Sequence, residues 1–376
     1  MVKVNRERLI RQFVELVQID SHSREERQMA DKVIGILQPL GFDIHEDDTG
    51  AKVGGNTGNL ICRLQGDPVL PTLLFTCHLD TVHPGRGIKP QLLEDRVTSD
   101  GTTILGADDK AGVAGLIEMV RVLQEQKLPH GNIVLVLTVC EEVGLLGSRQ
   151  LNGDLIKDAD YGFAFDSNGP IGRIVTKGPS QARVEVVVHG KTAHAGVNPE
   201  AGISAIKLAS QAISRMKLGR IDAETTANIG MINGGVATNI VPERVEIVAE
   251  ARSLVQSKLD AQTEHMKATF EQTAREAGGR AEVKIISMYP AFGHADEDPV
   301  VQIARRAAES IGVEPVTESS GGGSDANVFN GLGVPTVNLA IGYENIHTVD
   351  EYILLDDLEK ACQLMVAVTQ QVRKKA

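Results

Sequence analysis

Runs of aliphatic and aromatic residues recur in the first half and last quarter of the chain, and most end on a polar side chain. Leu73 to Thr76, Ile133 to Val139, Tyr161 to Phe165 and Val337 to Ile341 have this character and read as parallel strands buried on both faces. Helical spacing separates them. Near the start, Leu9, Phe13, Leu16 and Val17 fall on one face of an amphipathic helix. A second helix carries the stripe Met29, Val33, Ile36 and Leu40 before Gly41, and Ser23 with Glu26 forms the expected capping box at its start. A third runs from about Asp109 to Leu123. Strands alternating with helices predict βαβ units and a mostly parallel sheet.

The pattern changes after Gly178 and Pro179. Strand (Ala182 to His189), helix (Glu200 to Lys217), two strands (Thr225 to Ile232 and Arg244 to Ala251), helix (Ser257 to Ala277) and strand (Glu282 to Ser287) follow in order. This βαββαβ order is the ferredoxin-like plan. The α/β pattern resumes after Pro290 with a helix at Pro299 to Ile311, the strand Val337 to Ile341 and a closing helix at Leu355 to Val372. The expected architecture is therefore a mixed, mostly parallel α/β domain made of residues 1–178 and 291–376, with a small α+β domain, 179–290, inserted into it.

Composition narrows the range of partners. A chain of 376 residues with 42% apolar content has core enough for two domains. Its net charge of −12 argues against nucleic acid or an anionic membrane surface as a partner. No apolar run approaches the ~20 residues that span a bilayer, and the first residues lack the apolar core and cleavage site of a secretory signal. Four scattered cysteines, Cys62, Cys77, Cys140 and Cys362, fit a reduced, cytoplasmic protein rather than a disulfide scaffold. Cys77 and Cys140 each precede a chemically interesting residue, yet strand alternation turns them the other way, into the core.

Five segments carry a metal-capable side chain beside such a run: His78 in TCHLDT, Asp108 in LGADDKAG, Glu142 in TVCEEVG, Asp166 in FAFDSNG and His347 in NIHTVDE. Open α/β sheets place ligands at the carboxyl ends of their strands. Two imidazoles and three carboxylates suit a pair of zinc, cobalt or manganese ions. Asp108 is the expected bridge, at the mouth of a helix whose free N–H groups favour an anion, with Asp109 or Lys110 orienting its loop. Asp80 stands two residues beyond His78, in reach of the rear ring nitrogen. Glu141 and Glu142 point in different directions if the chain is extended, one to bind metal and one to act as general base. Other hydrolytic motifs fail. Gly190-Lys191-Thr192 lacks the earlier glycine of a phosphate loop because position 185 is Glu185, the Gly322–Ala326 run ends in alanine where a nucleophile elbow needs glycine, and no HExxH is present.

At these residues the chain resembles the zinc exopeptidase and deacylase family that includes peptidase T, dipeptidase V, aminoacylase, acetylornithine deacetylase and succinyl-diaminopimelate desuccinylase. The boxes HLDTV, GADDKAG, EE, the post-strand aspartate, GKTAHAG, NIVP, GGGSDAN and the late histidine occur in the family order. The resemblance implies two zinc ions per subunit, with cobalt or manganese as substitutes: His78, Asp108 and Asp166 hold one, and Asp108, Glu142 and His347 the other. It also implies that Glu141 is the acid/base, that Asp80 supports His78 and that the peptide after Asp108 is cis. The inserted domain becomes a lid and a homodimer contact, with His194 stabilising the oxyanion from the partner subunit. Asn239 and Arg252 bind a substrate carboxylate, and Gly322 and Gly323 allow close approach of substrate. Aspartate at position 166 and the IVTKGP and GADDKAGVAG surroundings look most like peptidase T-type aminopeptidases of short peptides, although the HLDTVHPG ending is more general in the family. The alternatives are an amidohydrolase deacylating N-acyl amino acids and a metal-stabilised binding protein without catalysis. An intact Glu141 speaks against the last.

Overall fold

A computed structural model describes residues 2–372. Its main sheet runs Asp43–Glu46, Leu60–Leu64, Ile133–Thr138, Leu73–His78, Tyr161–Ser167, Thr336–Ala340 and Arg173–Gly178, with Val316–Ser319 beside the last. The central pairs, Leu73–His78 with both neighbours and Thr336–Ala340 with Tyr161–Ser167, are parallel. Leu60–Leu64 and Arg173–Gly178 join antiparallel. Leu73–His78 and Ile133–Thr138 are buried at every position, which is why both read as unbroken apolar runs rather than alternating ones.

Helices cover this sheet. Arg6–Val17 buries Leu9, Phe13, Leu16 and Val17 and packs on Ala107–Glu125, which also packs on Leu355–Gln370. Gly112 brings Ala107–Glu125 close to the strands. A Cβ there would stand 2.3 Å from Asp109 Oδ1, 2.6 Å from Cys77 Sγ and 2.8 Å from the Phe165 carbonyl, distances at which something must move. All four cysteines are free and buried. Among the described residues no helix is long and apolar enough to cross a membrane.

The chain divides into two compact units. One comprises the chain up to Lys177, Gly293–Ser320 and the chain from Ser324 on; the other comprises Gly178–Phe292 with Gly321–Gly323. The second unit is a five-stranded antiparallel sheet ordered Gly219–Arg220, Thr225–Gly234, Arg244–Ser253, Ser180–His189, Arg280–Tyr289, with Ala205–Arg215 and Gln256–Glu276 packed on it. Its four long strands thus take the ferredoxin-like order. The first of these helices begins later than the pattern suggested, because Pro199–Ala201 forms a separate short turn of 3-10 helix and Ser204 caps the helix proper.

One further local reading needs correction. Ser23 and Glu26 make no capping box: Arg27–Leu37 starts without a side-chain cap, and both residues are committed elsewhere. The chain carrying His347 forms a hairpin, Tyr343–Glu344 against Tyr352–Leu354, which joins Arg96–Thr98 and Gln91–Leu92 in a small separate sheet.

Candidate metal centre

His78 is the last residue of its strand and is 2% exposed. Its Nδ1 lies 2.8 Å from the main-chain carbonyl of Asp80, so that nitrogen carries the proton and donates it. The Asp80 carboxylate stands farther off, at 3.6 Å. Asp80 therefore supports the imidazole twice, through its main-chain carbonyl and through a carboxylate that raises the imidazole's affinity for a proton. The ring is thereby held with Nε2 facing Asp108 Oδ1 at 3.1 Å and Asp166 Oδ1 at 3.7 Å, where it donates to Asp108 when protonated and offers a lone pair once that proton leaves.

Asp108 faces the other way with its second oxygen, Oδ2, which is 3.3 Å from His347 Nε2; that nitrogen is also 3.1 Å from Glu142 Oε1. One carboxylate thus stands between two imidazoles, each flanked by a further carboxylate. The Asp108–Asp109 peptide is cis. Asp109, fully buried, accepts the His78 amide at 3.1 Å and, with His78 and Asp166, forms a second group of ligand atoms within 4.8 Å of one another. His78, Asp108 and Glu142 form the other such group. At the mouth of the Ala107–Glu125 helix the amides of Leu105, Gly106 and Asp108 go to Glu351 and not to Asp108's own carboxylate.

Glu141 and Glu142 do not lie on an extended strand. Cys140 has φ 54°, the strand has ended at Thr138, and both glutamates lie in a turn closed by Gly144 and Leu145 amides on the Glu141 carbonyl. The turn is what separates their side chains. Asp80 holds it: its carboxylate accepts the amides of Glu141 at 2.9 Å and Glu142 at 3.2 Å, with the Ser23 hydroxyl at 2.6 Å. Glu26, buried behind it, accepts the Cys140 amide at 3.0 Å.

Negative charge is concentrated here beyond what burial tolerates. Burial pushes the Asp166 carboxyl well above its usual range, and the Asp108 and Glu142 charges push it further, although His78 opposes them. Glu141 is raised well above its range by burial and by Asp166. Burial also raises Glu142, against the hydrogen bond from His347. Burial would raise Asp108 too, but the hydrogen bonds from His347 and His78 bring it below the usual range. The imidazoles respond in kind. Burial disfavours a charged His78, yet the surrounding carboxylates carry it well above its ordinary value, and Asp108 and Glu142 raise His347 to about 10. Crowded carboxylates that draw protons onto neighbouring imidazoles are the environment a divalent cation would neutralise. With the lone pair of His78 Nε2 aimed among oxygens, the donor set fits zinc-like ions.

Several contributors carry no obvious signal in the sequence. Tyr343 donates its hydroxyl to Asp166 Oδ1 at 3.1 Å, and Asn338 grips the Asp166 backbone at both ends, 2.8 and 3.0 Å. Asp325, in the GGGSDAN run, is buried against the Thr138 hydroxyl at 2.5 Å, and its charge adds to the pressure on Glu141.

The other candidates belong to the second unit. His194 and Asn239 lie on adjoining segments, bridged by the Ala195 amide on the Asn239 carbonyl at 2.9 Å, and both are exposed. His194 Nδ1 accepts the amides of Gly196 and Val197, each at 3.1 Å, which leaves the ring proton on an outward Nε2. Arg252 is paired with Glu250 at 2.9 and 3.1 Å. Gly322 is exposed, and at Gly323 a Cβ would stand 2.3 Å from the Tyr289 ring, so packing alone already requires glycine there.

With this geometry in place, comparison with known proteins is direct. The sequence pattern of the peptidase family M20/M25/M40 matches residues 74–371. The chain is 52% identical over 371 residues to the uncharacterized protein YqjE of Bacillus subtilis strain 168, covering 99% of this chain and 100% of that one. Among solved structures it is similar to aminopeptidase PepT from Bacillus cereus ATCC 10987, with 52% identity, TM-score 0.91, and 98% and 99% of the two chains covered. It is also similar to a tripeptidase from Staphylococcus aureus subsp. aureus Mu50, with 43% identity, TM-score 0.94 and 98% of each chain covered.

Proposed function

The chain belongs to the peptidase family M20/M25/M40 and is a metallopeptidase, and from that premise we propose that it is a dinuclear, zinc-dependent aminopeptidase acting on short peptides. The observation that carries this reading is the placement of Asp108, one oxygen toward His78 and the other toward His347, with Asp166 and Glu142 completing the two halves. Cations bound there would polarise the scissile carbonyl and ease deprotonation of water. The remaining work falls to the chain. Glu141 accepts the proton of the attacking water and passes it to the departing amine, a task suited to a carboxyl whose affinity for protons is raised by burial and by Asp166. Asp80 fixes the turn that aims it.

The aminopeptidase and tripeptidase named among the similar structures support short peptides as substrate. In the second unit, His194 supplies an exposed Nε2–H, a donor suited to a developing oxyanion, and the proposal assigns it that task across a homodimer. Asn239, Arg252, Gly322 and Gly323 are assigned to substrate binding, with Glu250 setting the pose of the guanidinium. Four reduced, buried cysteines support a cytoplasmic location. A chromatographic assay offering tripeptides, dipeptides and N-acyl amino acids with zinc, cobalt or manganese tests the reading. Release of the N-terminal residue from tripeptides or dipeptides is expected. Preferential cleavage of N-acyl amino acids would replace it with the deacylase.

A further inference from the structure

Glu351 is 1% exposed, and its carboxylate is directed entirely at one stretch of backbone. Oε2 accepts the amides of Leu105 at 2.8 Å and Gly106 at 2.7 Å, and Oε1 accepts that of Asp108 at 3.0 Å. These are the residues that lead into the Ala107–Glu125 helix, at a point where Asp108 and Asp109 depart from helical φ and ψ. An ordinary cap would come from a residue next to the helix. Glu351 comes instead from 243 residues further along the chain.

Its position in the hairpin matters as much as its bonds. The hairpin's loop carries His347 at φ 63° and Asn345 at φ 55°, a left-handed backbone uncommon outside glycine although asparagine and histidine adopt it more readily than most residues. Glu351 lies at the foot of this loop, one residue before the strand Tyr352–Leu354 that ties the hairpin to Arg96–Thr98. Four residues of chain and three charge-assisted hydrogen bonds therefore connect His347 to the Leu105–Asp108 backbone, one of the bonds reaching Asp108 itself. The two side chains they serve meet at 3.3 Å.

We propose that Glu351 is a positioning residue for the metal centre, locking the loop that presents Asp108 to the loop that presents His347 and so fixing the gap between the two halves of the site. It touches no substrate. The inference rests on the dinuclear reading above, but its mechanical part does not depend on metal.

Glu351→Gln keeps the shape and replaces one acceptor oxygen with an NH2 group facing backbone donors; Glu351→Asp keeps the charge but is too short to reach all three amides. Both variants, as full-length protein with circular dichroism as the check of folding, are compared with the wild type in two measurements. In metal-free protein, hydrogen exchange followed by mass spectrometry should quicken together in peptides covering residues 104–109 and 343–350. Zinc titrated by calorimetry should bind ~10–100-fold more weakly to Glu351→Gln, the usual effect of losing a residue that supports metal ligands. The loss for Glu351→Asp should be smaller and in the same direction, and turnover should recover in part with excess zinc. Wild-type zinc affinity in a folded Glu351→Gln protein overturns the proposal, as does unchanged exchange in either segment. A wild-type protein that takes up no zinc defeats the dinuclear reading instead, and the exchange comparison alone then decides whether Glu351 couples the loops.

Discussion

In the larger unit, His78, Asp108, Glu142, Asp166 and His347 come from five separate segments and each comes within 3.7 Å of at least one of the others, with His78 and Asp108 buried. In the smaller unit, two of the polar candidates are engaged close to home. His194 takes amides two and three residues away, and Arg252 takes Glu250 from its own strand. The contrast is energetic. Converging ionisable groups from distant segments in a buried place is unfavourable unless something compensates, so the larger unit declares its chemistry by its cost. Contacts made within two or three residues along the chain bring no distant segments together and mark nothing by themselves. The larger unit's role can be argued from its own coordinates, whereas that of His194, Asn239 and Arg252 leans on resemblance and on one tautomer.

The sharpest separation within the larger unit is between neighbours. Glu141→Gln should keep its metal and lose roughly 10²–10⁴-fold in turnover, the usual scale for a general base. Glu142→Gln should bind metal more weakly, because its oxygen faces His347 at 3.1 Å. Metal analysis beside steady-state kinetics reads both. Loss of metal in the first and retention in the second would exchange the two roles.

The same assay carried to the smaller unit could dissolve the contrast. His194→Ala should lose about 10²–10³-fold in turnover, as removal of an oxyanion donor does, while metal content stays at the wild-type level. Co-expressed with Glu141→Gln, it should regain part of the activity through heterodimers holding one competent site. A verified heterodimer no more active than its parents would confine catalysis to single chains.

Smaller effects probe the supports. Tyr343→Phe removes the hydroxyl that binds Asp166 at 3.1 Å; metal affinity should fall by roughly 10-fold, the low end for such partners, as read by competition with a chelating dye. Gly112→Ala forces a methyl against Asp109, Cys77 and Phe165. Urea unfolding should show a loss of ~1–3 kcal/mol, the range for overpacked cores. An equally stable Gly112→Ala protein would mean that the helix seats less tightly behind the site than its contacts indicate.

The strands were legible because they are buried on both faces, and His78, Glu142 and Asp166 because each sits at or just past the end of one; Asp108 and His347 are carried instead by a helix mouth and a hairpin loop. What escaped has a common cause. Glu26 and Ser23 mimic a capping box in sequence but are drawn to Cys140 and Asp80, more than 50 residues away, and no local pattern reports such a partner. Asn338 and Tyr343 looked like part of an apolar run and its sequel, yet they fasten Asp166 across the sheet. The turn at Glu141 depends on a left-handed Cys140, a conformation that cysteine does not advertise. Asp80 was placed beside His78, but its further bonds were not legible: its carbonyl accepts from the ring and its carboxylate also gathers the amides of the two glutamates.

The central claim is that the Asp108-centred cluster holds two catalytic cations. Its most direct test is to strip the purified protein of metal, add zinc back in steps, and record bound metal per chain and peptidase activity on the same samples. The account predicts negligible activity without metal, recovery that follows occupancy, and saturation near two ions per chain. Full activity in demonstrably metal-free protein would contradict it.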